Sequence, residues 1–291
     1  MSRLENAIEK ALKNRQEEID SSRVAVPSDS PGPPISMPPE FLSGSSEGKG
    51  ERDKLLAGEP LKVSHPHLLV NQGDFRFLAE EYKKLKTVLM QMTRGEKFRN
   101  VLMMTSTVSG EGKTLTALNL GICLAQGMDH TALVVDADLR KPRVHEYLGL
   151  SSSEPGLIQC LSEDYPLEKA LVKTGIGKLV VLPSGGTVAN PVDLLSSKRM
   201  KEFVRELKGR YPDRYVLFDT TPILSFAESQ YLASVMDGVI FVVREEKAKV
   251  NQVKMALELL KKTNNLLGVV YNDSHLISKH DDNYYYSYYN S

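Results

Sequence analysis

The chain has 291 residues, of which 41% are hydrophobic and 25% are charged, enough to bury a sizeable core in one large domain. Lys and Arg total 37, as do Asp and Glu, and this balance gives no general reason to bind nucleic acid. Cys123 and Cys160 lie singly in apolar surroundings, without the spacing of a metal site, which favours a reducing compartment over a disulfide.

The beginning of the chain is polar and charged. Leu4, Ile8 and Leu12 have helical spacing, so residues 1–20 are predicted to form a short helix, either a docking element or a frayed segment. Ser, Pro and Gly then predominate, and they predict a disordered linker over residues 21–66. No apolar stretch approaches the roughly 20 residues that span a bilayer, and the start is too charged for a signal peptide. A cytoplasmic location is expected.

A helix over residues 75–92 introduces the predicted folded domain, residues 67–275. Asp74 is suited to cap this helix. Apolar residues mark one face of it: Phe75, Leu78, Tyr82, Leu85, Leu89 and Met92.

Short apolar runs rich in β-branched residues follow, separated by helical stretches. The runs occupy residues 100–106, 131–138, 179–185, 215–221, 238–243 and 266–273. Their hydrophobicity is continuous rather than alternating, which predicts strands covered on both faces and hence a mainly parallel sheet with right-handed crossovers. Helices are predicted over residues 114–128, 191–209, 227–236 and 249–264. The expected fold class is α/β.

The most specific motif is TVSGEGKT at residues 107–114, between the first strand and the next helix. In G-x-x-x-x-G-K-[ST] loops, backbone N–H groups and the helix N-terminus hold a polyphosphate, the lysine reaches the outer phosphates and the hydroxyl binds Mg²⁺. Lys113 and Thr114 match the last two roles, and Thr107 replaces the first glycine. A P-loop NTPase fold is predicted. The expected phosphate contacts are Ser109, Gly110, Glu111, Gly112, Lys113, Thr114 and Leu115.

Three aspartates follow neighbouring predicted strands. Asp136 and Asp138 lie in VVDADLR, and Asp219 ends YVLFD in the manner of a Walker B carboxylate. Because ligands bind at the carboxyl ends of parallel strands, we expect Mg²⁺ to be held by Thr114, Asp138 and Asp219. Two roles are open for Arg140. It stabilises this site or an incoming acidic segment, or it pairs with a nearby carboxylate.

Tyrosines crowd the predicted C-terminal tail, residues 276–291. Of the 12 tyrosines in the chain, five lie in the last eight residues: Tyr284, Tyr285, Tyr286, Tyr288 and Tyr289. With the three motifs above, this cluster makes the chain resemble the bacterial tyrosine kinases (BY-kinases) of exopolysaccharide synthesis, and among them the tyrosine autokinases found with exosortase-linked operons. The resemblance covers roughly residues 74–291.

The resemblance implies an ATP- and Mg²⁺-dependent tyrosine autokinase in which the tail tyrosines accept phosphate. The implied catalytic residues are Lys113, Asp136, Asp138 and Asp219, with Asp136 as the base, although the residues themselves equally permit Asp138 in that role. Transfer in trans within a ring is implied, and the tail is also long enough to reach its own site.

The resemblance also implies partners. Those kinases form rings through an E-x-x-R-x-x-R motif, matched here by Glu80, Lys83 and Lys86. Both arginines are lysines, which lack the planar fork of arginine, so a solvated helix face is the alternative. A membrane polysaccharide co-polymerase would activate the kinase and hold it at the inner membrane, and a tyrosine phosphatase would reverse its action.

Two other functions fit the same motifs. A ParA/MinD-like ATPase shares the sheet and the loop, but it carries a signature lysine where this chain has Val108. A nonenzymatic, nucleotide-switched scaffold of polysaccharide export is also consistent with a site that binds Mg·ATP. In that case the tyrosines would be aromatic anchors for a partner. The H-R-D and D-F-G motifs of eukaryotic protein kinases are absent from the sequence.

Overall fold

The computed structural model describes residues 61, 63, 65–69, 76–95, 97–127, 130–210 and 214–274, with the side chains of Arg76 and Arg210 excepted. The predicted N-terminal helix, Asp74 and the tyrosine tail lie outside these residues, as does most of the predicted linker. Leu61 and Val63 fall within the predicted linker, yet both pack against the core, and the Leu61 N–H donates to the Thr174 carbonyl at 2.9 Å. Core packing therefore extends to earlier residues than the predicted domain boundary.

Helix α1 (Arg76–Thr93) begins and ends within one residue of the prediction. Tyr82 and Leu89 of the predicted apolar face are buried, and Ala79 joins them. Met92 is 36% exposed, and the buried residue of the last turn is Thr93 instead, whose hydroxyl lies 2.7 Å from that of Tyr215.

A seven-stranded sheet forms the centre of the domain. Its strands are β1 (Val101–Ser106), β2 (Thr131–Asp136), β3 (Val172–Lys173), β4 (Leu179–Leu182), β5 (Arg214–Asp219), β6 (Gly238–Arg244) and β7 (Leu266–Asn272). They lie in the order β3-β4-β2-β5-β1-β6-β7. Among the strands of the described residues, only the β3–β4 pair is antiparallel, so the predicted mainly parallel sheet is confirmed. The edge strand β3 was missed because two residues are too short to show a pattern.

The remaining helices are α2 (Lys113–Ala125), α3 (Val144–Leu148), α4 (Leu157–Ser162), α5 (Leu167–Ala170), α6 (Pro191–Leu195), α7 (Lys198–Arg210), α8 (Ala227–Val235) and α9 (Val250–Lys261). The prediction of one helix over residues 191–209 was wrong, because the chain forms α6 and α7 there. The Ser197 hydroxyl accepts the Met200 N–H at 3.1 Å and so caps the start of α7. Helices α3 to α5 are too short to show helical periodicity.

Strand β1 is covered on both faces. Leu102 and Met104 join one core cluster with residues of α1 and α2. Val101 and Met103 alternate with them and are equally buried, and α7 and α8 also contact this strand. The carboxyl end of β1 lies between those of β5 and β6, so the loop after β1 adjoins the ends of neighbouring strands. Within the described residues, no helix combines the length and apolar character needed to span a membrane.

Close packing of α2 on the sheet depends on Gly121. A Cβ at this position would lie 2.8 Å from Val134 Cγ2 and 3.3 Å from Leu179 Cδ1. We expect Gly121→Val to lower the free energy of unfolding by about 1–3 kcal/mol, because overpacking displaces the helix. Urea unfolding measures this change. Gly209→Val is the matched control, since nothing lies within 4 Å of a Cβ there; equal losses in the two variants would refute the packing argument.

Candidate active site

The loop between β1 and α2 turns at two glycines. Gly110 and Gly112 have φ angles of 86° and 92°, a region that favours glycine. A Cβ on Gly112 would also collide with the side-chain amide of Asn272. Helix α2 begins at Lys113, directly after Gly112. The unpaired N–H groups of its first turn therefore adjoin the loop, as in sites that bind phosphate.

Two polar side chains brace this loop. Glu111 is fully buried, and its carboxylate accepts the N–H groups of Val108 at 2.8 Å and Arg244 at 3.4 Å. Asn272, at the end of β7, donates its amide to the Glu111 carbonyl at 2.9 Å. Burial raises the pKa of Glu111. Asn272 was not among the predicted site residues, because a polar residue at a strand end looks the same in sequence whether it meets solvent or a loop.

Three aspartates, Lys113 and Thr114 meet beside the loop. Asp136 and Asp219 end β2 and β5 at paired positions of the sheet. The Thr114 hydroxyl donates to Asp219 Oδ2 at 2.6 Å, and Lys113 Nζ lies 3.8 Å from Asp138 Oδ2. Each of the five residues is at most 9% exposed. Residues that are up to 106 positions apart in the chain thus form one buried polar cluster.

Burial raises the pKa values of all three aspartates. The pKa of Asp219 rises to about 6, with Lys113 opposing the shift. The pKa of Asp136 is raised well above its ordinary value by burial and by the charge of Asp219. Burial also raises the pKa of Asp138, again opposed by Lys113. One lysine faces three carboxylates, so a bound divalent cation would favour their ionised forms.

The residues present fit Mg²⁺. Asp219 Oδ1 is buried and has no hydrogen-bond partner in the described part of the chain. Carboxylate and hydroxyl oxygens are hard donors, and Mg²⁺ commonly combines one or two carboxylates with substrate phosphates and water. No group of three or more His, Cys, Asp or Glu side chains among the described residues could hold a metal ion. Phosphate or water oxygens would therefore complete the coordination.

Asp136 and Asp138 have different surroundings. Asp136 is fully buried, and it accepts the N–H groups of Asp138 at 3.3 Å, Arg143 at 3.1 Å and Val144 at 3.0 Å. It thereby holds the start of α3. Asp138 accepts the Lys141 N–H at 3.1 Å and is the carboxylate nearest Lys113. Alternation of side chains along a strand would place Asp136 and Asp138 on the same side, but strand β2 ends at Asp136, so this expectation does not apply to Asp138.

Arg140 pairs with a carboxylate, one of the alternatives left open above. Its Nε lies 2.6 Å from Glu228 Oε1, and its guanidinium lies 4.5 Å from the centre of the Phe226 ring. Glu228 is in the first turn of α8 and only 1% exposed. The pair ties the loop after β2 to α8. No sequence signal marked Glu228 as its partner.

The residues of the predicted oligomerisation motif make contacts within the chain. Glu80 and Lys83 form an exposed pair at 2.6 Å. Lys86 Nζ donates to the Cys123 carbonyl at 2.9 Å, which joins α1 to α2. A role of these residues between subunits stays a prediction.

Comparisons with known proteins identify the family. Residues 99–269 match a family model described as an AAA domain. Tyrosine-protein kinase YwqD of Bacillus subtilis (strain 168) is 38% identical over 209 residues, which cover 72% of this chain and 86% of the relative. The chain belongs to the bacterial tyrosine kinases. The resemblance to the bacterial tyrosine kinases is therefore confirmed, and the chain is a protein-tyrosine kinase. A closer relation to the exosortase-linked autokinases stays a prediction.

Solved structures agree with this assignment. The chimerical protein CapA2B2 superposes on the kinase with a TM-score of 0.66 at 26% identity, over 79% of this chain and 99% of the other. The kinase domain of Escherichia coli tyrosine kinase ETK gives a TM-score of 0.65 at 26% identity, over 78% and 87% of the two chains.

A second lysine adjoins the phosphate loop of the kinase. A Cβ on Gly110 would lie 3.3 Å from Cε and 3.6 Å from Nζ of Lys247, in the loop between β6 and α9. Lys247 is exposed, and its side chain makes no ion pair or hydrogen bond with the described residues. Its ammonium adds positive charge where polyphosphate would bind.

We expect Lys247→Ala to raise the KM for Mg·ATP roughly three- to tenfold, because an exposed cation contributes up to about 1.4 kcal/mol to binding. The kcat should change less than twofold, since the contact is made equally in the ground and transition states. Steady-state kinetics separate the two constants. Lys249→Ala, at another exposed lysine in the same loop, is the control. A similar KM increase in both variants would argue against a specific role for Lys247.

Proposed function

We propose that this kinase is an ATP- and Mg²⁺-dependent autokinase that phosphorylates its own C-terminal tyrosine cluster and thereby regulates exopolysaccharide polymerisation or export. One observation carries the proposal. Lys113, Thr114 and two acidic strand ends surround a phosphate loop in a chain whose last eight residues contain five tyrosines. A polyphosphate site and a cluster of acceptor hydroxyls are the two components of tyrosine autophosphorylation.

Phosphoryl transfer depends on positioning and on charge neutralisation more than on covalent chemistry. The loop N–H groups and Lys113 would hold the β- and γ-phosphates of ATP. Thr114 and Asp219 would hold Mg²⁺, which neutralises phosphate charge when bound, and Asp138 would stay available for the proton. The tyrosine oxygen then bonds to the γ-phosphorus as the bond to the β,γ-bridging oxygen breaks, and ADP leaves.

The proton of the attacking tyrosine needs an acceptor. Asp136 was the expected base, but it is fully buried and both of its oxygens accept backbone N–H groups. Asp138 is 8% exposed and lies nearest Lys113. This geometry favours Asp138 as the residue that accepts or orients the proton, with Asp136 as a positioning residue.

The tail can reach a neighbouring active site. Tyr284 follows Ser274 by ten residues and Tyr289 by fifteen, so an extended chain covers roughly 33–50 Å. We place the transfer in trans, within a homo-oligomeric ring for which Glu80, Lys83 and Lys86 are the candidate contacts. A membrane polysaccharide co-polymerase would activate the kinase from the inner membrane, and a tyrosine phosphatase would reset the tail.

Incubation of the purified chain with Mg·ATP, followed by intact-mass and peptide analysis, tests the proposal. We expect up to five phosphates, all on Tyr284 to Tyr289. A variant with Phe at the five tail tyrosines should incorporate none while retaining ATP binding. If no phosphate appears on the tail of wild type, even after addition of the cytoplasmic segment of the co-polymerase, the autokinase proposal is wrong.

A further inference from the structure

A cleft lies at the amino end of β1, away from the phosphate loop. Its volume is about 310 Å³. Helix α7 forms one wall, and the end of α8 and the start of β1 form the other. The lining residues are Val101, Lys201, Val204, Arg205, Lys208, Val235 and Asp237. Since β1 rises about 3.3 Å per residue, its six residues separate the cleft from the phosphate loop by roughly 17 Å.

The cleft has a cationic rim. Lys201, Arg205 and Lys208 follow one another at helical spacing on the same side of α7. Asp237 opposes them with one negative charge, but it already pairs with Lys208 and accepts the Val101 N–H at 3.2 Å. Lys201 Nζ lies 5.6 Å from the centre of the Tyr231 ring. The lining therefore carries a net charge of two positive units.

Arg205 is the open donor in this rim. Its side chain is exposed and makes no ion pair or hydrogen bond with the described part of the chain. Its guanidinium presents five N–H groups in a fork that matches two phosphate oxygens at once. An anion in the cleft would meet this fork without breaking an existing contact.

The interior of the cleft is apolar. Val101, Val204 and Val235 line it, and the first two are at most 7% exposed. Valine side chains favour an aromatic ring over a bare inorganic anion, because the ring buries apolar surface against them. An aromatic ring that carries an anionic group would pack against the valines and pair with the cationic rim.

We propose that this cleft binds a phosphotyrosine of the chain's own C-terminal segment, which rests on the function proposed above. Residues 275–291 contain two aspartates and one lysine, so the unmodified segment is only weakly acidic. Each phosphate adds about 1.5 to 2 negative charges, so attraction to the rim rises sharply with phosphorylation. An extended chain from Ser274 to Tyr284 covers roughly 33 Å, compared with the roughly 17 Å between the two ends of β1. Docking removes a finished phosphotyrosine from the transfer site and leaves that site open to the next tyrosine.

Peptide binding without nucleotide tests the inference. The full chain, treated with a tyrosine phosphatase and kept in EDTA, is titrated into fluorescent peptides of residues 279–291. Five peptides each carry one phosphotyrosine and a sixth carries none. We expect at least one phosphopeptide to bind about tenfold more tightly than the sixth. The Lys201→Ala/Arg205→Ala variant should lose that preference, whereas Lys254→Ala/Lys262→Ala, with the same charge change on exposed positions of α9 and its end, should keep it.

Equal binding of all six peptides would overturn the inference, as would a preference that survives in Lys201→Ala/Arg205→Ala. A peptide with Glu at the five tyrosine positions is a further test. If it binds as tightly as the best phosphopeptide, the cleft binds acidic peptides in general and the inference is refuted. The assay contains no ATP or Mg²⁺, so its result does not depend on kinase activity. A chain that binds phosphopeptide but never phosphorylates its tail would refute the proposed function alone.

Discussion

Replacement of Lys113 by Met should reduce tyrosine phosphorylation at least about 1000-fold, because preorganised cations in a water-poor site supply several kcal/mol to transfer of a charged phosphoryl group. Lys113 is 6% exposed and is the cation nearest to the acidic cluster. Met has a similar length and no charge, so the change removes the electrostatic contribution with little loss of volume. The initial rate of phosphate incorporation from Mg·ATP measures the effect.

Two controls sharpen the experiment. Lys254→Met, at an exposed lysine on α9, should retain the wild-type rate. A mixture of Lys113→Met chains with wild type, distinguished by mass, tests the proposed direction of transfer. Phosphate on Lys113→Met tails in the mixture indicates transfer between chains. A Lys113→Met chain that phosphorylates its own tail at the wild-type rate would contradict the assigned role of the lysine.

Asp219→Asn should have opposite effects on activity and on stability. Transfer should fall by at least about 100-fold, because the variant lacks a carboxylate at the proposed Mg²⁺ site. The metal-free protein should nevertheless become more stable at pH 8, by on the order of 2–3 kcal/mol, since burial raises the pKa of Asp219 to about 6. An amide oxygen can still accept the Thr114 hydroxyl, so the substitution removes the buried charge and keeps the hydrogen bond.

The pH dependence follows from the direction of that shift. A carboxyl group whose folded pKa is raised favours the folded state below its unfolded pKa near 4, and this contribution is lost as the pH rises through about 6. Wild type in EDTA should therefore lose stability between about pH 4 and 7, and Asp219→Asn should lose less. Thermal unfolding across this range measures the difference. Asp164→Asn is the control, because its side chain is 88% exposed; a stability gain in the control as large as that in Asp219→Asn would refute the burial argument.

Much of the fold and of the candidate site is encoded in local sequence patterns. Continuous apolar runs predicted the six longer strands, because a strand covered on both faces needs apolar residues at every position. The phosphate loop was recognisable because its key residues are adjacent in the chain: Gly112 allows the turn, and Lys113 and Thr114 begin α2 directly after it. The carboxylates at strand ends were predictable for a related reason: in a parallel sheet, all carboxyl ends meet at one edge.

Only the tertiary structure decided how distant residues complete the site. Glu228 pairs with Arg140 across 88 residues of sequence, and Asn272 reaches the loop from 161 residues away. Such partners lack a local signal, because a polar residue on a helix or at a strand end looks the same in sequence whether it meets solvent or a buried charge. The different surroundings of Asp136 and Asp138, the position of Lys247 and the cleft beside α7 likewise depend on packing between separate elements, which spacing along the chain does not encode.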